Sequence, residues 1–167
     1  MAAFELKSFY KKDSNGKKVI DPDLFDKKAE SIAASFYGKK KDSNGKEIKD
    51  SNGKEIIEGI SITQLRRLFD EVKRFQQILE NANGAEEAAC WDAQLPYIKM
   101  IKSKVRYTIA RMKKSKPNLR RYYENLSSFI SQAIDLIKDK EDYLVFSSLF
   151  EAVYGFYYEY APKESGN

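Results

Sequence analysis

Histidine is absent from this chain of 167 residues. Its absence removes the usual general base near neutral pH and the commonest metal ligand. Cysteine occurs once, as Cys90. A single thiol cannot close an internal disulfide, and without histidine it cannot form a Cys–His dyad. Proline and glycine are scarce, at 4 and 8 residues, so little in the sequence interrupts long helices. No apolar run approaches the roughly 18 residues of a membrane span, and the opening MAAFELKSFYKK lacks a signal-peptide core. The G-x-S-x-G, H-E-x-x-H and P-loop signatures are missing, as are the glycine-marked helix pair of a helix-turn-helix and the RRM signature. These gaps predict a cytoplasmic chain with no catalytic residues, no metal site, no cofactor and no membrane contact.

What is present is charge and aromatic surface. The net charge is +5, and its distribution is uneven. Residues 1–57 hold 13 Lys and 10 acids; Ala93 to Tyr123 holds ten Lys/Arg and no acid; Tyr122 to Asn167 holds three Lys and eight acids. A basic middle followed by an acidic end favours a polyanion on one face or head-to-tail contact between copies. Aromatics make up 13% of the chain, and the GFYYEY run from Gly155 to Tyr160 places them all round a helix. Some of these are left exposed in a monomer, which points to a protein interface.

The first 57 residues read as a loop-rich arm with one short helix, Asp23 to Tyr37, turned inward by Phe25, Ala29, Ile32, Ala33 and Phe36. DSNGK occurs at 13–17, 42–46 and 50–54, the last two copies in tandem. Each contains Asn-Gly, a turn with positive φ, so 38–57 is expected to be a mobile segment or a small hairpin. The likeness of DSNGKE to a calcium loop fails on ligand spacing and on the terminal Glu.

From Ser61 the pattern becomes helical. Ser61 and Gln64 form a capping box, followed by the stripe Ile62, Leu65, Leu68, Phe69, Val72, Phe75 and Leu79. A second stretch starts near Ala85, with Pro96 expected to kink or restart it, and continues through Ile98, Ile101, Val105, Ile109 and Met112. A third runs from about Asn118 to Ile137, with Leu119, Tyr122, Leu126, Phe129, Ala133 and Ile137 inward. A fourth, capped by Asp139, runs to Tyr160 with Tyr143, Phe146, Leu149, Phe150, Val153 and Tyr157 inward. The expected fold is all-α, a compact helical bundle of about five helices. Its core spans 58–162, with the arm before it and a disordered tail over 163–167.

Cations recur along the central helices. Lys99, Lys102, Arg106 and Lys113 share one stripe beside the apolar face, and Lys104 and Arg111 flank its other side. On the Ser61 helix Arg66 pairs with Lys73, and Arg67 with Arg74, each about two turns apart. Such rows match successive phosphates, and arginine adds a planar fork for phosphate oxygens. The plainer account is a solvated, salt-bridged face, supported on the Ser61 helix by Asp70, Glu71 and Glu80. Between 93 and 123 no local acid relieves the cations, which favours a nucleic acid there. Tyr97, Tyr107, Tyr122 and Tyr123 lie among them as base-stacking candidates, though aromatics at helical spacing are usually core. Cys90, beside Trp91, reads as a small buried hydrophobe.

The segments ITQLRRLFDEV (Ile62 to Val72), LPYIKMIKSKVRYTIAR (Leu95 to Arg111) and FSSLFEAVYGFYYEY (Phe146 to Tyr160), in that order, resemble the small helical subunit of the type III-A CRISPR–Cas effector, the Csm complex. The DSNGK arm falls outside that likeness. The resemblance implies a non-catalytic helical bundle, stacked in several copies as an inner filament beside the backbone and large subunits. Those larger subunits do the cutting, while this one lines the guide–target RNA duplex and helps hold the target strand. It carries RNA-binding positions onto Arg66, Arg67, Lys99, Lys104 and Arg111, with Ala110 where the family often has glycine. The helical stripe adds Lys73, Arg74, Lys102 and Arg106. Backbone contacts suffice for such a role, because guide–target pairing reads the sequence. The alternative is a scaffold subunit whose basic face binds acidic protein partners.

Overall fold

The computed structural model describes residues 4–163. Within them lie five α-helices, α1 (Ala29–Ala34), α2 (Ile62–Asn81), α3 (Glu87–Ser115), α4 (Arg120–Leu136) and α5 (Lys140–Tyr160). Two small antiparallel hairpins precede α2: β1 (Tyr10–Lys12) with β2 (Lys18–Ile20), and β3 (Tyr37–Lys39) with β4 (Ile57–Gly59). The expected helical bundle is therefore observed, with the hairpins as a minor addition. Of the tail expected over 163–167, all but Lys163 lies outside the described residues.

The core is built around α5. Tyr143, Phe146, Leu149, Phe150, Val153 and Tyr157 are fully buried, as their helical spacing predicts. α1 and α2 pack along α5, while α3 lies mainly on α4. Phe129 of α4 stacks on Phe150 at 5.7 Å between ring centroids and meets Phe36 at 6.2 Å. Burying tyrosine in such a core requires a partner for its hydroxyl. Tyr143 donates to the carbonyl of Val72 at 2.9 Å, and Tyr157 donates to that of Ile60. Asp139 caps α5 by accepting from the Asp142 N–H at 2.9 Å.

Residues before 58 are not set apart from this core. Leu6, Phe9, Leu24, Ile32 and Phe36 are buried in the same cluster as Phe129 and Phe150. The Leu6 N–H donates to Gln132 Oε1 at 2.7 Å, and the Tyr10 hydroxyl donates to Asp142 Oδ1 at 2.7 Å. The helix expected from Asp23 opens with a π turn over Leu24–Lys28, in which the Lys28 N–H reaches the carbonyl of Asp23, five residues back, at 2.9 Å. That wider turn carries Leu24 into the core and leaves Phe25 37% exposed, which corrects the inward assignment of Phe25.

The three DSNGK copies fold as the same turn. Asp13 Oδ1 accepts from the N–H groups of Asn15 and Lys17 at 2.8 and 2.9 Å. Asp42 and Asp50 repeat those bonds. Each turn ends in a glycine at positive φ, 77°, 79° and 76° for Gly16, Gly45 and Gly53. The first closes the β1–β2 hairpin. The tandem pair forms two lobes on the β3–β4 stem, joined by a ring of backbone bonds. Lys40 donates to Ile56 at 2.8 Å, Ile56 to Ile48 at 3.1 Å, and Ile48 to Lys40 at 2.9 Å. Lys39 Nζ sits 3.3 Å from Glu47 and 2.6 Å from Glu55, and its ammonium holds the Glu55 carboxyl below the usual carboxylate range. Of the two forms expected for 38–57, the ordered hairpin is the one present.

Two local expectations change. The Ser61 Oγ accepts from the Gln64 N–H at 3.4 Å, but the reciprocal half of the box is taken by another helix. The Ser61 N–H donates to the Tyr123 hydroxyl at 3.1 Å, which in turn donates to Gln64 Oε1. α3 also runs through Pro96 without a break. The proline forfeits one backbone bond, and burial of Ile98, Ile101, Val105 and Ile109 along the same helix outweighs it.

Candidate nucleic-acid interface

α2 and α3 run antiparallel, with Cys90 Sγ 3.8 Å from the Ile78 carbonyl at one end and the Gln64 amide nitrogen 3.9 Å from the Met112 sulfur toward the other. Cys90, read as a small buried hydrophobe, is half-buried and packs against the core. Toward Gln64 and Met112 a cavity of about 610 Å³ lies between the two helices. Arg67 of α2 and Lys104, Arg111 and Lys114 of α3 wall it, with Glu71 as its acid. Four cations against one carboxylate make this the part of the surface best suited to an anion.

The nine sequence candidates divide among three faces. Arg67, Lys104 and Arg111 come together at this groove. Arg106 lies on the opposite flank of α3, where with Lys113 it lines a shallower depression against Glu124 and Ser127 of α4. Ala110 lies on that flank too, away from the α2–α3 groove. Lys102 also faces α4, bonded to Asp135. Lys73 leans on α5, 2.6 Å from Glu151. Arg66, Arg74 and Lys99 are exposed. The Arg74 guanidinium lies 4.4 Å from the Phe75 ring centroid.

The absence of acids between 93 and 123 therefore left only some of those cations unpaired. Asp135, Glu71 and Glu124 reach Lys102, Lys104 and Lys113 from other helices. Sequence distance hid partners that folding brings close. Among the described residues no carboxylate pairs with Arg66, Arg67, Arg74, Lys99, Arg106 or Arg111. The Lys104–Glu71 pair is half exposed on the lysine side, so its net attraction is small and screened.

Tyr122 and Tyr123 are 3% and 1% exposed, which removes them as stacking platforms: the helix turns both into the core. Tyr97 and Tyr107 are 56% and 66% exposed. Tyr107 stands on the same flank as Lys104 and Arg111, with the Arg111 guanidinium 5.9 Å from its ring centroid. Lys114 was missed from the sequence, although it falls three residues beyond Arg111, where the same helical arithmetic places it. Gln64 was read as a cap alone; its position on the groove wall had no sequence signal.

Among the described residues no group of three or more His, Cys, Asp or Glu is placed to hold a metal ion, and no helix is long and apolar enough to cross a membrane. Residues 39–163 match the family model described as Csm2 Type III-A. The match takes in the tandem DSNGK copies, which the resemblance over Ile62 to Tyr160 had left outside. No curated protein matches the chain.

Proposed function

The chain belongs to the Csm2 Type III-A family, the small subunits of the type III-A CRISPR Csm complex, and we propose that within that complex it holds RNA by its sugar–phosphate backbone without catalysing a reaction. The observation that carries this reading is the α2–α3 groove, where Arg67, Lys104, Arg111 and Lys114 converge from two helices. Arginine and lysine at such positions exchange condensed counterions for phosphates, a gain that requires no base contact. The target strand paired to its guide is the expected ligand. Arg66, Lys73, Arg74, Lys99, Lys102 and Arg106 are not among the groove's lining residues and serve as secondary contacts for the same strand or for neighbouring subunits.

Stacking of copies fits the remaining surface. Tyr158 and Tyr160, at the end of α5, are 67% and 46% exposed, beside Glu159. An acidic, aromatic end of one copy suits the basic flank of the next. A single copy makes few phosphate contacts and binds weakly; copies held in line gain affinity through effective concentration.

The test is fluorescence anisotropy of the purified chain with a labelled single-stranded RNA across a salt series. Lys104→Ala combined with Arg111→Ala is expected to weaken binding and to lower the log–log salt slope by about 1.4, at roughly 0.7 per phosphate contact. An unaltered slope in the double variant removes these residues from the interface and favours the scaffold role.

A further inference from the structure

A ridge that only meets phosphates has no use for a partly apolar cavity beside its cations. Leu68, Val105, Met112 and Leu126 line the interior of the α2–α3 groove below its cationic rim. We propose that this cavity receives one unstacked nucleobase of the RNA strand while the rim cations hold the phosphates on either side of it. The proposal rests on the RNA reading above and adds the part of the nucleotide that enters the protein.

The volume, about 610 Å³, falls in the range of roughly 300–1,000 Å³ typical of small-molecule sites. A phosphate or carboxylate gains nothing from an apolar floor, because an ion loses its hydration there. A nucleobase does gain, since its faces are apolar and its edge carries hydrogen-bonding groups. The cavity supplies partners for that edge. Tyr123 donates to Gln64 Oε1, which fixes the amide with its oxygen occupied. The amide nitrogen meets the Met112 sulfur at 3.9 Å, a weak acceptor that a base carbonyl would replace with advantage. Thr108 Oγ1 donates to the Lys104 carbonyl at 3.2 Å and keeps lone pairs for a base N–H.

The rim completes a nucleotide site. Lys104 and Arg111 stand seven residues apart, or about 10.5 Å along α3, and Thr108 lies between them. Tyr107, with Arg111 beside its ring, offers a flat exposed surface to the adjoining base, the arrangement by which single strands are held without sequence preference. Lys104 exchanges Glu71 for a phosphate as the strand seats. The charge around the mouth matches a polyanion, and the floor distinguishes one that carries bases from one that does not.

Two comparisons on the full-length chain test the idea. The first sets a single-stranded RNA against the same length of abasic ribose–phosphate oligomer at fixed salt. The abasic strand loses both the cavity base and the base on Tyr107 and is expected to bind more than about tenfold more weakly, with an unchanged salt slope. The second uses Thr108→Trp, which fills the cavity and leaves every rim cation in place. It is expected to weaken intact RNA about tenfold, toward the abasic affinity, as one lost base contact implies, while leaving the abasic affinity alone. Circular dichroism confirms folding of the variant, and the abasic comparison needs no variant at all. Equal binding of intact and abasic strands with a normal salt slope overturns the base site while sparing the backbone reading. A slope near zero for both strands overturns the backbone reading itself. Displacement of RNA by an acidic polypeptide as effectively as by unlabelled RNA also overturns the base site.

Discussion

Gly59 shows how tightly one residue can be held by backbone proximity. A Cβ added there would lie 2.5 Å from the Phe36 carbonyl oxygen and 2.9 Å from Tyr37 Cα. Both are main-chain atoms of the facing strand and cannot swing aside. Gly59→Ala is therefore expected to destabilise the chain by about 2 kcal/mol, within the cost of overpacking a filled site, measured as a lowered denaturation midpoint in urea. A midpoint equal to that of the parent chain would show that β3 and β4 can separate without cost. At this scale the sequence was an uneven guide. Every inward position assigned on α5 is buried, because spacing alone sets the face of a regular helix. Phe25 was misplaced because a π turn alters that spacing without leaving a mark in composition. Tyr122 was assigned inward by the helical period and is buried, whereas Tyr123, one residue off that stripe, is buried without a sign in the spacing.

Among the elements, the lobes on the β3–β4 stem lie outside the buried core. Residues 39–47 and 49–54 are exposed, and the lobes are held by local backbone bonds. Removing residues 42–49 joins Lys41 to Asp50 and leaves one intact DSNGK turn. Helical content by circular dichroism and the thermal midpoint are expected to stay close to those of the full chain. A drop of more than a few degrees would mean that the lobes brace the bundle. The helices themselves were legible where caps and period agreed, as at Ser61 and Asp139. A restart at Pro96 does not occur; the local penalty was read without the burial on the facing side. The α2–α3 groove was half legible. Period grouped Lys104 with Arg111, but a cavity between two helices is a property of their packing, and no single stretch of sequence encodes it.

For the whole molecule, the buried phenols set a limit at high pH. Burial pushes the Tyr143 and Tyr157 hydroxyls well above the ordinary tyrosine value, and burial together with the bond to Asp142 does the same for Tyr10. In the unfolded chain these groups ionise near about pH 10, whereas in the fold they keep their protons. The stability they support is thus fully present below that value and is lost as the pH rises through it toward the folded-state values. Each of the two deepest phenols contributes a decline of about 1.4 kcal/mol per pH unit above the unfolded pKa. An alkaline titration followed by phenolate absorbance is expected to show one group of tyrosines ionising freely and a second group ionising only as helicity collapses. Smooth titration of all of them with the helices intact would contradict the burial described.

The ring of bonds among Lys40, Ile48 and Ile56 has a consequence for how such a gene can change. Each eight-residue copy returns the chain to the place where it left, so copying errors that add or drop a whole unit alter the number of lobes and leave β3 and β4 in register. Length variation, whether by replication slippage or by a deliberately inserted reporter, is absorbed at the Asn44–Gly45 and Asn52–Gly53 tips.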